Sequence, residues 1–148
     1  WTTVANGMWT NPATWNVPGA PRADGVVTVN HAVTLDASTP ALASLTVNSA
    51  KTLTFDGWDT LLTANAVVVN GTLTHALNTA TNAVGGVWIP NARVNIACGS
   101  LTVGAAGKID VNAKGFPGGV LKSPRVQVRA AVARPTRVPA AGMAALAG

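Results

Sequence analysis

Two of the chain's five aspartates stand together, Asp56 and Asp59 in "FDGWDT", with Trp58 between them, and the 148 residues contain no glutamate at all. Glycoside hydrolysis uses two carboxylates about 5–10 Å apart, and an indole ring offers a flat apolar face to a sugar. This turn therefore reads as a candidate carbohydrate contact. The plainer alternative is a polar corner, where Asp bonds to its own backbone, and the residue types favour it. Asp24 fits a turn and Asp36 ends a strand-like run, so both read as structural. His31 in "VNHAV" and His75 in "LTHAL" follow similar runs at a similar phase, with no Cys or carboxylate at metal-ligand spacing. They read as exposed or corner histidines. Cys98 is the sole cysteine, which rules out an internal disulfide and suggests a small buried thiol.

No nucleophile motif of the G-x-S-x-G type, P-loop or dinucleotide fingerprint occurs, and Ser44, Ser49, Ser100 and Ser123 have no base visible in the sequence. No catalytic or metal-ligating residue is assigned, and no cofactor is expected. Calcium is the one ion worth weighing, because Asp-Gly repeats bind it in parallel β-rolls. Here only Asp24-Gly25 and Asp56-Gly57 occur, without the nonapeptide repeat. The candidate carbohydrate-binding residues are Trp9, Trp15, Asp56, Trp58, Asp59 and Trp88, the last in "GGVWIP".

The elements that must position these residues are strands. Short apolar-alternating pieces run through "VVTVN" (26–30), "AVTLD" (32–36), "SLTVN" (44–48), "TLTFD" (52–56), "AVVVNGTLTH" (66–75), "RVNIA" (93–97), "SLTVG" (100–104) and "KIDVN" (108–112). Val33 to Leu53, Leu53 to Leu73 and Val47 to Val67 are each 20 positions. Leu73 to Leu101 is 28, which places an insertion of about eight residues within 76–92. A repeat of that size predicts an all-β fold, a right-handed parallel β-helix (β-solenoid) of about four to five coils. The alternative is an antiparallel β-sandwich, for which Asn70-Gly71 is a strong hairpin signal. The recurring spacing, the repeated "LTV/LTF" phrase and the scarcity of aromatics favour the solenoid.

Such a stack leaves an open end that needs covering. Trp9 and Trp15 precede the first repeat, in a stretch stiffened by Pro12, Pro18 and Pro21. They read as an end cap in preference to a sugar platform. The expected organisation is a cap loop over 1–25, a solenoid over 26–119 and a disordered or loosely attached basic tail over 120–148. Residues 1–117 balance five basic against five acidic side chains, so the net charge of +5 belongs to Lys122, Arg125, Arg129, Arg134 and Arg137. No aromatic lies among them, which argues against specific nucleic-acid binding. A native continuation read out of frame is a further hypothesis for this tail. No apolar run of about 18 residues predicts a membrane span. The absence of an initial Met and of a signal-type start suggests an excised fragment.

The stretch "MWTNPATWNVPGAPRADGVVTVNHAVTLD" (8–36), followed by "SLTVNSAKTLTF", resembles the opening of secreted and cell-surface β-helical proteins. These include the eight-glycine (G-eight) domain and adhesin-like right-handed β-helices. The resemblance covers about residues 8–75, with looser support to about 119; the regular spread of glycines of the G-eight domain is not repeated. It implies a parallel β-helix in an extracellular or cell-surface setting, without implying one activity. The expected role is structural display, with extracellular glycans or a neighbouring stack of a longer parent chain as partners. The alternative is the N-terminal part of a β-helical polysaccharide lyase or glycoside hydrolase.

Overall fold

Residues 1–80, 83–84 and 87–115 are described by the structure, a computed structural model of the chain. The basic tail therefore lies outside the described residues. Strand follows strand: β1 (Gly7–Met8), β2 (Val26–Val29), β3 (Val33–Leu35), β4 (Leu42–Val47), β5 (Thr52–Phe55), β6 (Leu62–Val69), β7 (Thr72–His75), β8 (Ala83–Val84), β9 (Val87–Trp88), β10 (Ile96–Val103) and β11 (Lys108–Ile109). Helix is confined, among the described residues, to a single 3-10 turn at Pro12–Thr14, capped by the Asn11 side chain.

Two sheets hold all but β8 and β9. One is ordered β2-β4-β6-β10, the other β1-β3-β5-β7-β11, and every pairing in both is parallel. From β2 to β7 consecutive strands alternate between the sheets, so neighbours in sequence are not neighbours in a ladder. These sheets exclude the antiparallel sandwich as their arrangement. Antiparallel pairing among the described residues is limited to β8 with β9 and one bridge between Thr3 and Trp15.

The Asn70-Gly71 hairpin signal misleads for an identifiable reason. A two-residue hairpin of the favoured type needs positive φ at both central residues, and neither Asn70 nor Gly71 has it. The run 66–75 breaks there into β6 and β7, which enter different sheets. Gly71 is required for closeness instead: a methyl group at this position would overlap the carbonyl oxygens of Asn48 and Lys51.

Register follows the alternation of apolar side chains. Val33, Leu53 and Leu73 pair in succession, each 20 positions after the last. In the other sheet Val27 pairs with Leu45, 18 on, and Leu45 with Val67, 22 on. Val47 thus pairs with Val69 and not with Val67. Leu73 and Leu101 lie in different sheets; Leu73 pairs with Ile109, 36 on, and Leu101 with Val67, 34 on. Relative to the preceding rows the extra length is 12 to 16 positions, more than the eight expected. The expected pieces 93–97 and 100–104 are joined in β10, which starts only at Ile96.

The inward residues form columns. Val27, Leu45 and Val67 make one, Val29, Val47 and Val69 a second, and Val33, Leu53 and Leu73 a third, all 0–2% exposed. Leu35 and Phe55 form a fourth. Each such side chain removed from water contributes about 1.5–3 kcal/mol. Thr28, Thr46, Thr34 and Thr54 point the other way, half-buried.

At the corner after β2, β4 and β6 stand Asn30, Asn48 and Asn70. Asn48 Nδ2 donates to Asn30 Oδ1 at 2.5 Å, while the Asn48 and Asn70 amides reach back to Val29 O and Val47 O. The fourth row places Gly104 here, its amide on Val69 O at 2.9 Å. A side chain there would run into Asn70 Oδ1.

Candidate functional site

The N-terminal segment lies along the first edge of both sheets. Thr3 N donates to Thr28 O and Thr28 N to Trp1 O; Gly7 N and Trp9 N donate to Ala32 O and Thr34 O. Otherwise unpaired donors and acceptors of β2 and β3 are thereby satisfied. Trp9 and Trp15 sit behind this segment at 2% and 4% exposure, edge to face with centroids 4.8 Å apart. Trp15 Nε1 donates to Trp9 O at 2.8 Å. Rings packed this way have no open face for a sugar to stack on, so the platform reading loses both.

Trp58 and Asp59 do come together with a residue outside the candidate set, in the turn that also carries Asp56. Gly57, at φ +109°, turns the chain after β5, and Thr60 Oγ1 donates to Asp56 O at 2.5 Å to close the turn. The turn leaves Asp56 and Asp59 exposed and Trp58 39% exposed. Arg93, from the segment before β10, lays its guanidinium 4.4 Å from the Trp58 ring centre. Its Nε donates to Trp58 O at 2.7 Å, and a terminal nitrogen stands 3.9 Å from Asp59 Oδ1. The ion pair is loose, with the Asp59 side chain 94% exposed, and an exposed pair contributes at most about 1 kcal/mol. The cation–π contact adds about 0.5–1 kcal/mol. The patch thus offers a ring, a planar donor and the Asp59 carboxylate together, with Asp56 exposed in the same turn.

The remaining candidates are dispersed. Trp88 is half-buried on β9, with Nε1 donating to Ala80 O at 2.9 Å. Asp36 accepts from the Thr10 amide and hydroxyl at the N-terminal edge. His31 is held by Thr3, its Nδ1 3.0 Å from Thr3 O. His75 departs from expectation: it is 6% exposed and continues the column of Leu35 and Phe55. Its Nδ1–H donates to Ala76 O at 2.7 Å, and Lys114 Nζ donates to its carbonyl oxygen at 2.8 Å. Cys98 is exposed, not buried, because β10 forms the edge of its sheet. No three His, Cys, Asp or Glu side chains converge as a metal site among the described residues.

Two features had no forecast. Asn78, 3% exposed, pins both ends of the long connection after β7: its Oδ1 accepts from Asn91 N and Ala92 N, and its Nδ2 donates to Ala92 O and Lys114 O. An Asn within a polar loop looks like any other turn former, so the sequence carried no signal for it. The second is a shallow groove of about 270 Å³ lined by Thr72, Thr74, Asp110, Asn112 and Lys114. The Lys108 ammonium, 2.9 Å from Asp110 Oδ2, holds the carboxyl of this lining residue below its ordinary pKa, helped by the Asn112 amide.

No protein-family model, curated protein or solved structure matches the chain. No helix among the described residues is long and apolar enough to cross a membrane.

Proposed function

We propose that the chain is a structural and display module of an extracellular or cell-surface protein. In this reading it belongs to a right-handed parallel β-helix, with residues 1–25 as its cap and its corner loops facing glycans or neighbouring cells. The observation that carries it is the delivery of consecutive strands to alternate parallel sheets, with Val, Leu and Asn stacked row on row. Parallel crossovers are right-handed in about 98% of cases, which supports the handedness. The N-terminal segment paired along the first edge supports the cap. The extracellular setting rests on the resemblance of residues 8–75.

The glycan-contacting surface in this proposal is the Trp58 turn with Arg93 and Asp59. A sugar places C–H groups against an indole and hydroxyls against carboxylate and guanidinium. Glycan-array binding of the purified chain tests it. One glycan class should bind, and Trp58→Ala should weaken that binding about tenfold or more, near 1.4 kcal/mol. No signal on the array, or full retention in Trp58→Ala, would sink the assignment. Trp9 and Trp15 are poor substitutes in this test, because replacing buried rings perturbs the fold.

The second reading is the N-terminal part of a polysaccharide lyase or glycoside hydrolase. Its support is Arg93 beside Asp59 and Trp58, a grouping suited to holding a polysaccharide chain near catalytic rows elsewhere.

A further inference from the structure

The two ends of the stacked sheets are finished differently. The first edge is covered by residues 1–16, whereas β10 and β11 are the last strands of their sheets among the described residues. Leu101 and Val103 continue the columns of Val67 and Val69, and Ile109 that of Leu73. Their predecessors are 0–1% exposed, yet Leu101, Val103, Ile109 and Val111 are 44–46% exposed. Strand β10 spans eight residues, "IACGSLTV", without a charge, proline or lysine to discourage further pairing.

The facing pattern of β10 narrows the choice of partner. Along β6 the buried residues are Leu62, Ala64, Val67 and Val69, so the alternation slips by one at Asn65. Parallel partners share a facing, which makes Ile96, Cys98, Leu101 and Val103 the inward set of β10. A two-fold axis between Gly99 and Ser100 would pair Ile96 with Val103 and Cys98 with Leu101 of a second copy. Every inward residue then meets an inward residue over the whole strand. Without the slip, the same full-length antiparallel overlap would set inward against outward positions.

We propose that this end face is a self-association surface, where two copies join β10 to β10 antiparallel across a two-fold axis. A two-fold interface requires one patch to be complementary to itself, and the facing pattern of β10 is. The same axis turns the two β11 edges and their apolar residues toward each other. The area is modest. Each copy brings four half-covered apolar side chains and one strand edge, a small patch beside specific interfaces, which bury about 1,200 Å² or more in total. The dimer is therefore weak and concentration-dependent. Self-association at this end does not depend on glycan contact at the Trp58 turn.

Light scattering after size exclusion, on the full chain with reductant present so that Cys98 cannot cross-link, tests the proposal. The mass should rise from 14.9 kDa toward twice that value with increasing concentration. Leu101→Asp should hold it at the monomer mass. Ser100→Lys, which sets two like charges near the axis and leaves the inward columns untouched, should do the same with an unchanged circular dichroism spectrum. A monomer mass at every concentration would overturn the proposal, as would a dimer indifferent to both substitutions. Growth beyond the dimer would overturn the two-fold geometry.

Discussion

Asp110 shows how little a surface charge needs in order to be biased. The Lys108 ammonium bonds to one carboxylate oxygen and the Asn112 amide to the other. Both favour the ionised form, so the folded carboxyl titrates below its unfolded value. Its stabilising contribution is complete above the ordinary carboxylate range, about 3.9, and is lost as pH falls through the folded value. Asp110→Asn should lower stability slightly near neutrality and flatten the decline below about pH 4. Urea midpoints across that range measure it; matching acid limbs for the two chains would refute it. The effect is small because the pair is exposed. At this scale the sequence was partly legible. "KID" puts Lys108 and Asp110 on one face of a strand, which period-2 alternation makes evident. The Arg93 contact with Trp58 was not legible as a contact, since 35 positions separate the two and only the connection after β7 brings them together.

At the scale of elements, alternation located the strands of the two sheets except β1 and missed the two-residue strands β8 and β9, too short to show a period; the 20-residue spacing was correct where both connections of a row keep their length. Val33, Leu53 and Leu73 are the case in point. In the other sheet the offsets of 18 and 22 average to the same value, so Val47 to Val67 looked like a repeat without being a pair. The Asn corner was visible as Val-Asn at 29–30, 47–48 and 69–70, but those unequal offsets hid its regularity. The slip at Asn65 was hidden for a similar reason: an exposed residue beside a half-buried Ala66 interrupts the period that identifies a strand. Gly71 carries the sharpest element-level prediction. Because its missing side chain leaves room for two backbone carbonyls, Gly71→Ala should destabilise by about 1–3 kcal/mol or more. Gly19 is the comparison, because an added methyl group would meet nothing there while its φ is +93°: its Ala variant reports backbone strain alone. Equal chemical-denaturation midpoints for Gly71→Ala and the parent chain would contradict the close-approach account.

Over the whole molecule, protection should be graded. Among the described residues the rows from β3 to β6 have partners on both edges and buried columns, while β10 and β11 have partners on one edge and half-exposed apolar residues. Local opening costs least where buried contacts are fewest. Hydrogen exchange at low protein concentration should therefore run faster in β10 and β11 than in β4 and β5, by at least tenfold, or about 1.4 kcal/mol. Uniform protection from end to end would show that the rows open together. The connection after β7 bears on something else. It adds 12 to 16 positions to its row, yet β6 and β10, and β7 and β11, meet in continuous register on either side. Asn78 fastens its two ends to each other through bonds to Asn91 and Ala92. Length at this corner is thus uncoupled from the axial repeat. A foreign peptide grafted between Thr79 and Ile89 would inherit a fixed root at each end, making this the natural address for new recognition on an otherwise repetitive scaffold.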